Sequence, residues 1–196
     1  MIELINLIRD LIRDNYKSAL DVFKFETSNI FTLSFNNVNE SSIKVYVNEE
    51  ELDPQNYTYD NIYNRIKIIN ISLQVGDIIA VYYTYTNYSD NEIISYINNA
   101  LINISINGGF NYRYSDGKFY NEKNEEITLT LKEKRLIAFV ASILINEPAV
   151  KSYKTPEISV TFADSMSKED RIKTIIRDYE TILGYMDYCS LKGTDC

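Results

Sequence analysis

The periodicity of this chain changes once, sharply, at Tyr88-Ser89, and that change dictates what can form on either side of it. Before it, apolar residues alternate with polar ones. Ile43, Val45 and Val47 fall on one side and Lys44, Tyr46 and Asn48 on the other, the two-residue repeat of a half-buried strand. Asp53-Pro54-Gln55-Asn56 forms a turn ahead of Tyr57-Thr58-Tyr59, and Arg65 to Ile69 reads as a further strand. Gln74-Val75-Gly76-Asp77 supplies another turn. Ile78 to Tyr85 is apolar or aromatic at nearly every position, which predicts a central strand covered on both faces. With weaker strands at Val22 to Phe25 and Ile30 to Phe35, residues 17–86 make a compact antiparallel block, a small sandwich or barrel.

After the change the spacing is helical. Ser89-Asp90-Asn91-Glu92 is a capping box: the serine oxygen accepts from the third helical amide, and the glutamate reaches back to the cap amide. Ile93, Ile94, Ile97, Leu101 and Ile104 then recur at three- and four-residue steps, and burying them contributes roughly 8 to 15 kcal/mol before chain entropy is charged. Asn107-Gly108-Gly109 stops the helix. Thr130-Leu131-Lys132-Glu133 opens a second helix that Pro148 closes, and Ser167-Lys168-Glu169-Asp170 opens a third with the stripe Ile172, Ile175, Ile176, Tyr179, Ile182, Leu183 and Met186. Met1 to Asp14 carries Leu4, Leu7, Ile8, Leu11 and Ile12 on one side. Tyr112 to Tyr120 places Asp116-Gly117 between aromatic runs, a hairpin signal, and Ile158 to Phe162 reads as one more strand.

These elements predict an α+β protein: a body of three to four helices with a β-hairpin, into which an antiparallel sandwich or barrel-like subdomain is inserted. The expected divisions are an N-terminal helix at 1–16, the β insert at 17–86, and a helical core at 87–196 with the hairpin at about 111–121 and a flexible C-terminal tail. No stretch approaches the roughly 20 apolar residues that span a bilayer, and the N-terminus lacks the marks of a signal peptide, so a soluble cytoplasmic product with no membrane partner is expected.

Composition removes most chemistries. The chain has no histidine, which eliminates Ser-His-Asp and Cys-His mechanisms, and no phosphate-binding glycine motif occurs. The plentiful carboxylates crowd turns and helix starts, where capping accounts for them. No catalytic residue, cofactor or metal site is therefore assigned. Asp53, Asp60 and Asp77 fit no calcium loop, and two cysteines, Cys189 and Cys196, lie in the polar tail as expected free thiols. A net charge of −8 argues against a high-affinity nucleic-acid surface, since phosphate binding rests on Lys and Arg. Lys132, Lys134, Arg135, Lys168, Arg171, Lys173 and Arg177 read as solvated helix faces pairing with acidic neighbours. Seventeen tyrosines and no tryptophan leave two aromatic clusters for binding: Tyr82-Tyr83 with Tyr85 and Tyr88, and Tyr112, Tyr114 and Tyr120. Cross-strand pairing is the plainer explanation of the first.

The opening Met-Ile-Glu-Leu-Ile-Asn-Leu-Ile-Arg-Asp, the insert with Ser42-Ile43-Lys44-Val45-Tyr46-Val47-Asn48, and the helix entry Tyr88-Ser89-Asp90-Asn91-Glu92-Ile93 resemble the head-tail connector proteins of tailed bacteriophages, also called head completion or adaptor proteins. Thr130 to Ile145 is similar to that family's central helix, and Ile158 to Tyr188 to its closing strand and charged helix. The sequence departs from the pattern at Glu49-Glu50-Glu51, where such inserts turn through a glycine, and in the β insert itself.

The resemblance implies mechanical work in the virion neck. It implies a homo-oligomeric ring, a dodecamer by analogy, that sits below the portal, extends the channel for double-stranded DNA without reading its sequence, and docks the next neck or tail component. The acidic charge suits a conduit that does not hold the duplex. The expected contact residues are Tyr112, Arg113, Tyr114, Asp116, Phe119 and Tyr120 of the hairpin, with Leu4, Ile8 and Leu11 of the first helix. The alternative is a tail or neck accessory protein whose β module binds a carbohydrate or receptor.

Overall fold

The computed structural model describes residues 1–145, 152–154, 159–161 and 166–179. The protein is α+β, and it divides into two compact units: Met1–Arg13 together with the chain from Asp90 onward, and Asp14–Ser89. Both cysteines, Pro148, and the stripe positions Ile182, Leu183 and Met186 lie outside the described residues.

The β unit is two open antiparallel sheets. One has the order β1 (Lys17–Lys24), β7 (Ile78–Tyr85), β3 (Val38–Val47), β4 (Glu50–Glu51); the other has the order β2 (Ile30–Thr32), β6 (Arg65–Ile68), β5 (Tyr57–Asp60). Alternation drives the packing. Ile43 and Val45 of β3, Ile79, Val81 and Tyr83 of β7, Phe31 of β2 and Ile66 and Ile68 of β6 all point into one dry cluster between the sheets. The first and last strands are neighbours, paired from Lys17↔Tyr85 to Lys24↔Ile78, so the unit's two ends leave side by side, as an inserted module requires. Asp14, 1% exposed, fastens them by accepting from the amides of Asn87 (2.7 Å) and Tyr88 (3.2 Å).

The expectations for three strands, β7, β1 and β2, are corrected. β7 is central in hydrogen bonding but covered on one face only: Ile79, Val81 and Tyr83 are buried, whereas Ile78 and Tyr82 are 44% and 46% exposed. The apolar run reads as doubly covered because Ala80 and Tyr82 suit a strand on either face, while the second sheet lies on one side. The first strand is longer than its apolar core, and the second stops at Thr32. Finally, β3 and β4 do form a hairpin without glycine: Asn48 (φ 48°) and Glu49 (φ 71°) both adopt the left-handed region that a two-residue turn of this kind demands. Asn48 makes this possible, because its side chain is held at both ends, donating to Asp77 (2.8 Å) and accepting from the amide of Ile78 (3.0 Å).

The helical unit is built on α1 (Ile2–Ile12), α2 (Asp90–Ile106), α3 (Leu131–Ile145) and α4 (residues 168–179). In α3 every residue from Leu136 to Ile143 is buried, so the helix is covered all round over that stretch, after a charged start, and lies against both α1 and α2. The sequence marks its start correctly: the Glu133 amide donates to the Thr130 hydroxyl (3.3 Å), and the Thr130 amide donates to the Glu133 carboxylate (2.6 Å). At α4 the box is modified. The Asp170 amide donates to the Ser167 hydroxyl (3.2 Å), which in turn donates to the Asp170 carboxylate (2.8 Å). α2 ends in a Schellman motif, with the amides of Gly108 and Gly109 donating to Ser105 and Ile104 carbonyls and Gly108 at φ 92°. α1 buries Leu4, Ile5, Ile8 and Ile12, and its Arg9 is paired with Asp90 at 2.7 Å.

Between α2 and α3 runs a three-stranded sheet in the order β10 (Glu126–Ile127), β9 (Lys118–Tyr120), β8 (Arg113–Ser115). Asp116 (φ 51°) and Gly117 (φ 82°) form the tight turn expected of them. A further pair, β11 (Ser152–Lys154) and β12 (Ser159–Thr161), runs antiparallel, the second within the predicted Ile158 to Phe162 strand. Among the described residues, no helix is long and apolar enough to cross a membrane.

Candidate functional site

Two surfaces, one in each unit, gather the side chains capable of contact. The first surrounds the β8–β9 hairpin. Strand alternation sends Tyr114, Phe119 and Ile127 to one face and Arg113, Ser115, Lys118, Tyr120 and Glu126 to the other. On the inner face the Tyr114 and Phe119 rings lie 5.0 Å apart, and Phe119 is buried. On the outer face the Arg113 guanidinium sits 4.8 Å from the centre of the Tyr120 ring, and Lys118 donates to Glu126 at 2.6 Å. Tyr112 precedes the hairpin and is spoken for: its hydroxyl donates to Glu133 (2.8 Å) and its ring stacks on Phe110 at 4.3 Å. Burial, reinforced by that hydrogen bond to a carboxylate, pushes its phenol up to about 12. Tyr179, edge-on to Phe110, is raised too, first by burial and then by the charge of Glu133.

The expected contact residues therefore separate. Arg113, Asp116 and Tyr120 stand on the outer face or at the tip, with Asp116 exposed and accepting from the Ser115 hydroxyl. Phe119, Leu4 and Ile8 are buried inside the unit, which takes them off its surface, and Leu11 is half-buried. The reason is α3: the stripe of α1 is consumed in packing on that helix. Yet the two stretches do meet. Met1 and Leu4 share a groove of about 200 Å³ with Gly117, Lys118, Phe119, Ile127, Leu129 and Lys134, and Lys134 bridges to Glu3 at 2.7 Å. That ion pair holds the Glu3 carboxyl below its usual range, through the hydrogen bond from Lys134 and its charge.

The second surface is the outward face of the β1-β7-β3 sheet. Register places Leu20 beside Tyr82 and Lys44, Val22 beside Ala80 and Tyr46, and Lys24 beside Ile78. Leu20 and Val22 are about half exposed, and Tyr46 and Tyr82 meet edge to face at 5.4 Å. A concavity of about 700 Å³ opens there, lined by Tyr46, Asn48, Glu49, Ile78, Ala80 and Tyr82. Sequence reasoning singled out Tyr82 but grouped it with Tyr83, which points the opposite way into the core and donates to Asp21 at 2.7 Å. Strand parity separates the two residues; Glu49 gave no signal beyond the missing glycine.

The acidic residues weighed as calcium ligands hold turns instead. Asp53 accepts from the Gln55 amide, Asp60 from Ile62, Tyr63 and Arg65, and Asp77 from the Gln74 amide and the Asn48 side chain. Among the described residues no group of three or more His, Cys, Asp or Glu is placed to hold a metal ion. No protein-family model matches the chain, and no curated protein matches it.

Proposed function

We propose that this chain is a structural subunit of the virion neck of a tailed bacteriophage, a head-tail connector that assembles as a closed ring below the portal, continues the DNA channel and docks the next neck or tail component. The observation that carries the reading is the groove at which the start of α1 meets the β8–β9 hairpin, with the charged face of Arg113, Lys118, Tyr120 and Glu126 beside it. A ring subunit needs a rigid wedge and a projection that reaches a neighbour through a contact unlike its own, so that successive copies close. α3, buried from Leu136 to Ile143, supplies the rigidity by holding α1 and α2 in one body. The hairpin supplies the projection. A net charge of −8 keeps passing DNA from adhering, because like charges repel across the channel wall. The order of the sequence elements, which resembles the connector family, adds to this reading.

Such a subunit works through its surfaces and makes or breaks no bond. Deleting the hairpin is a poor test, since Phe119 and Tyr112 hold the fold. Reversing its outer charges is a better one. Arg113→Glu with Lys118→Glu leaves the inner face intact and is expected to abolish ring assembly on the portal while circular dichroism stays unchanged. Normal assembly by this double variant, or a virion reconstruction that places the chain away from the neck, overturns the proposal.

A further inference from the structure

The concavity on the β1-β7-β3 sheet has three kinds of wall. Ile78 and Ala80 make an apolar floor, Tyr46 and Tyr82 stand over it edge to face, and Glu49 brings a carboxylate to the rim. The polar groups around it are mostly occupied. Both ends of the Asn48 amide are bonded within the turn, and the Tyr46 hydroxyl donates to Glu51 (3.0 Å), which also pairs with Lys44 (3.3 Å). Among the described residues, the Glu49 carboxylate and the Tyr82 hydroxyl have no partner. Lys24, beside Ile78 on the neighbouring strand, flanks the concavity without lining it and, among the described residues, carries no ion pair. The site is therefore apolar below, aromatic at the side and anionic at the lip.

From this we infer that the concavity receives an arginine side chain presented by a partner polypeptide. The fit is chemical. A guanidinium is planar and weakly hydrated, stacks on a tyrosine ring, and offers paired N–H groups to a carboxylate, while its three methylenes cover apolar floor. Ile78 and Ala80 take the methylenes, the Tyr82 ring flanks the side chain, and Glu49 takes the fork. A lysine ammonium meets the charge but not the ring or the bidentate geometry. A neutral sugar would stack on Tyr82 yet gain little from an ionised rim, and an anionic partner is repelled by Glu49 and the net charge of −8. The site asks nothing of ring assembly, so it stands or falls separately from the connector reading.

The test uses the full chain, labelled with nitrogen-15, and three short peptides: acetyl-Ala-Arg-Ala-amide and its citrulline and lysine counterparts. Maltotriose serves as the carbohydrate arm. The arginine peptide is expected to shift the amide signals of Glu49, Ala80 and Tyr82 saturably, and the citrulline peptide to bind about tenfold more weakly or worse, since it keeps the shape and loses the charge. Glu49→Gln and Tyr82→Ala should each weaken the arginine peptide at least about fivefold and leave signals of the helical unit in place, whereas Tyr82→Phe, which keeps the ring, should retain it. Equal response to citrulline, an unaffected Glu49→Gln variant, shifts produced by maltotriose in place of arginine, or no response at any peptide concentration would each overturn the inference.

Discussion

In the helical unit the tyrosines around the hairpin are committed to partners within the chain, Tyr112 to Glu133, Tyr114 to Phe119 and Tyr120 to Arg113, whereas in the β unit Tyr82 meets Tyr46 edge to face, is 46% exposed and, among the described residues, keeps a free hydroxyl. The same residue type thus serves two ends. Around the hairpin Tyr112 ties the segment to α3 through Glu133, while Tyr114 and Tyr120 find their partners within the small sheet. On β7 the second sheet covers one side, so every other residue is left over. The difference teaches that an aromatic cluster in a strand becomes a surface for others only where a layer is missing.

Substitutions can break this contrast, beginning with the largest expected effect. Phe119→Ala should cost about 3 to 5 kcal/mol of stability by urea unfolding, while Tyr82→Ala should stay within about 1 kcal/mol. Equal costs would mean that Tyr82 is as structural as Phe119. Tyr112→Phe removes one hydrogen bond and leaves Glu133 half-satisfied, a loss of about 1 to 2 kcal/mol. Its pH dependence sharpens the point: because the folded phenol is raised to about 12 from an ordinary value of 10.0, its stabilisation is complete below pH 10 and is lost as the pH climbs toward 12. Thermal melts across that range should show a shallower decline in Tyr112→Phe than in the wild type, the remainder coming from other raised phenols such as Tyr179.

A smaller effect of opposite sign is expected at the sheet. Glu49→Gly relieves a left-handed backbone and should stabilise the β unit by about 0.5 to 1 kcal/mol. A loss instead would mean that the glutamate side chain stabilises its own turn. Smallest of all, Lys118→Ala breaks an exposed ion pair and should leave the melting midpoint unchanged.

What the sequence made legible is mostly short-range. Thr130 with Glu133, Asp116 with Gly117, and Gly108 with Gly109 each act within five residues, and each does in the structure what its local chemistry dictates. What stayed hidden depends on neighbours far along the chain. Leu4 and Ile8 looked like a projecting stripe because nothing in their own helix announces α3, and β7 looked doubly covered because its outward residues are as apolar as its inward ones. Glu49 was invisible as a site residue. Its place at the rim follows from Asn48 being locked by Asp77 and Ile78, some 30 positions away.

The central claim, that this chain works as one copy among many at a neck, is tested most directly by its mass in solution, measured by sedimentation of the full chain alone and with the proposed portal partner. The account predicts a discrete closed assembly of many copies when portal is added. A chain that sediments as a monomer under both conditions would contradict it.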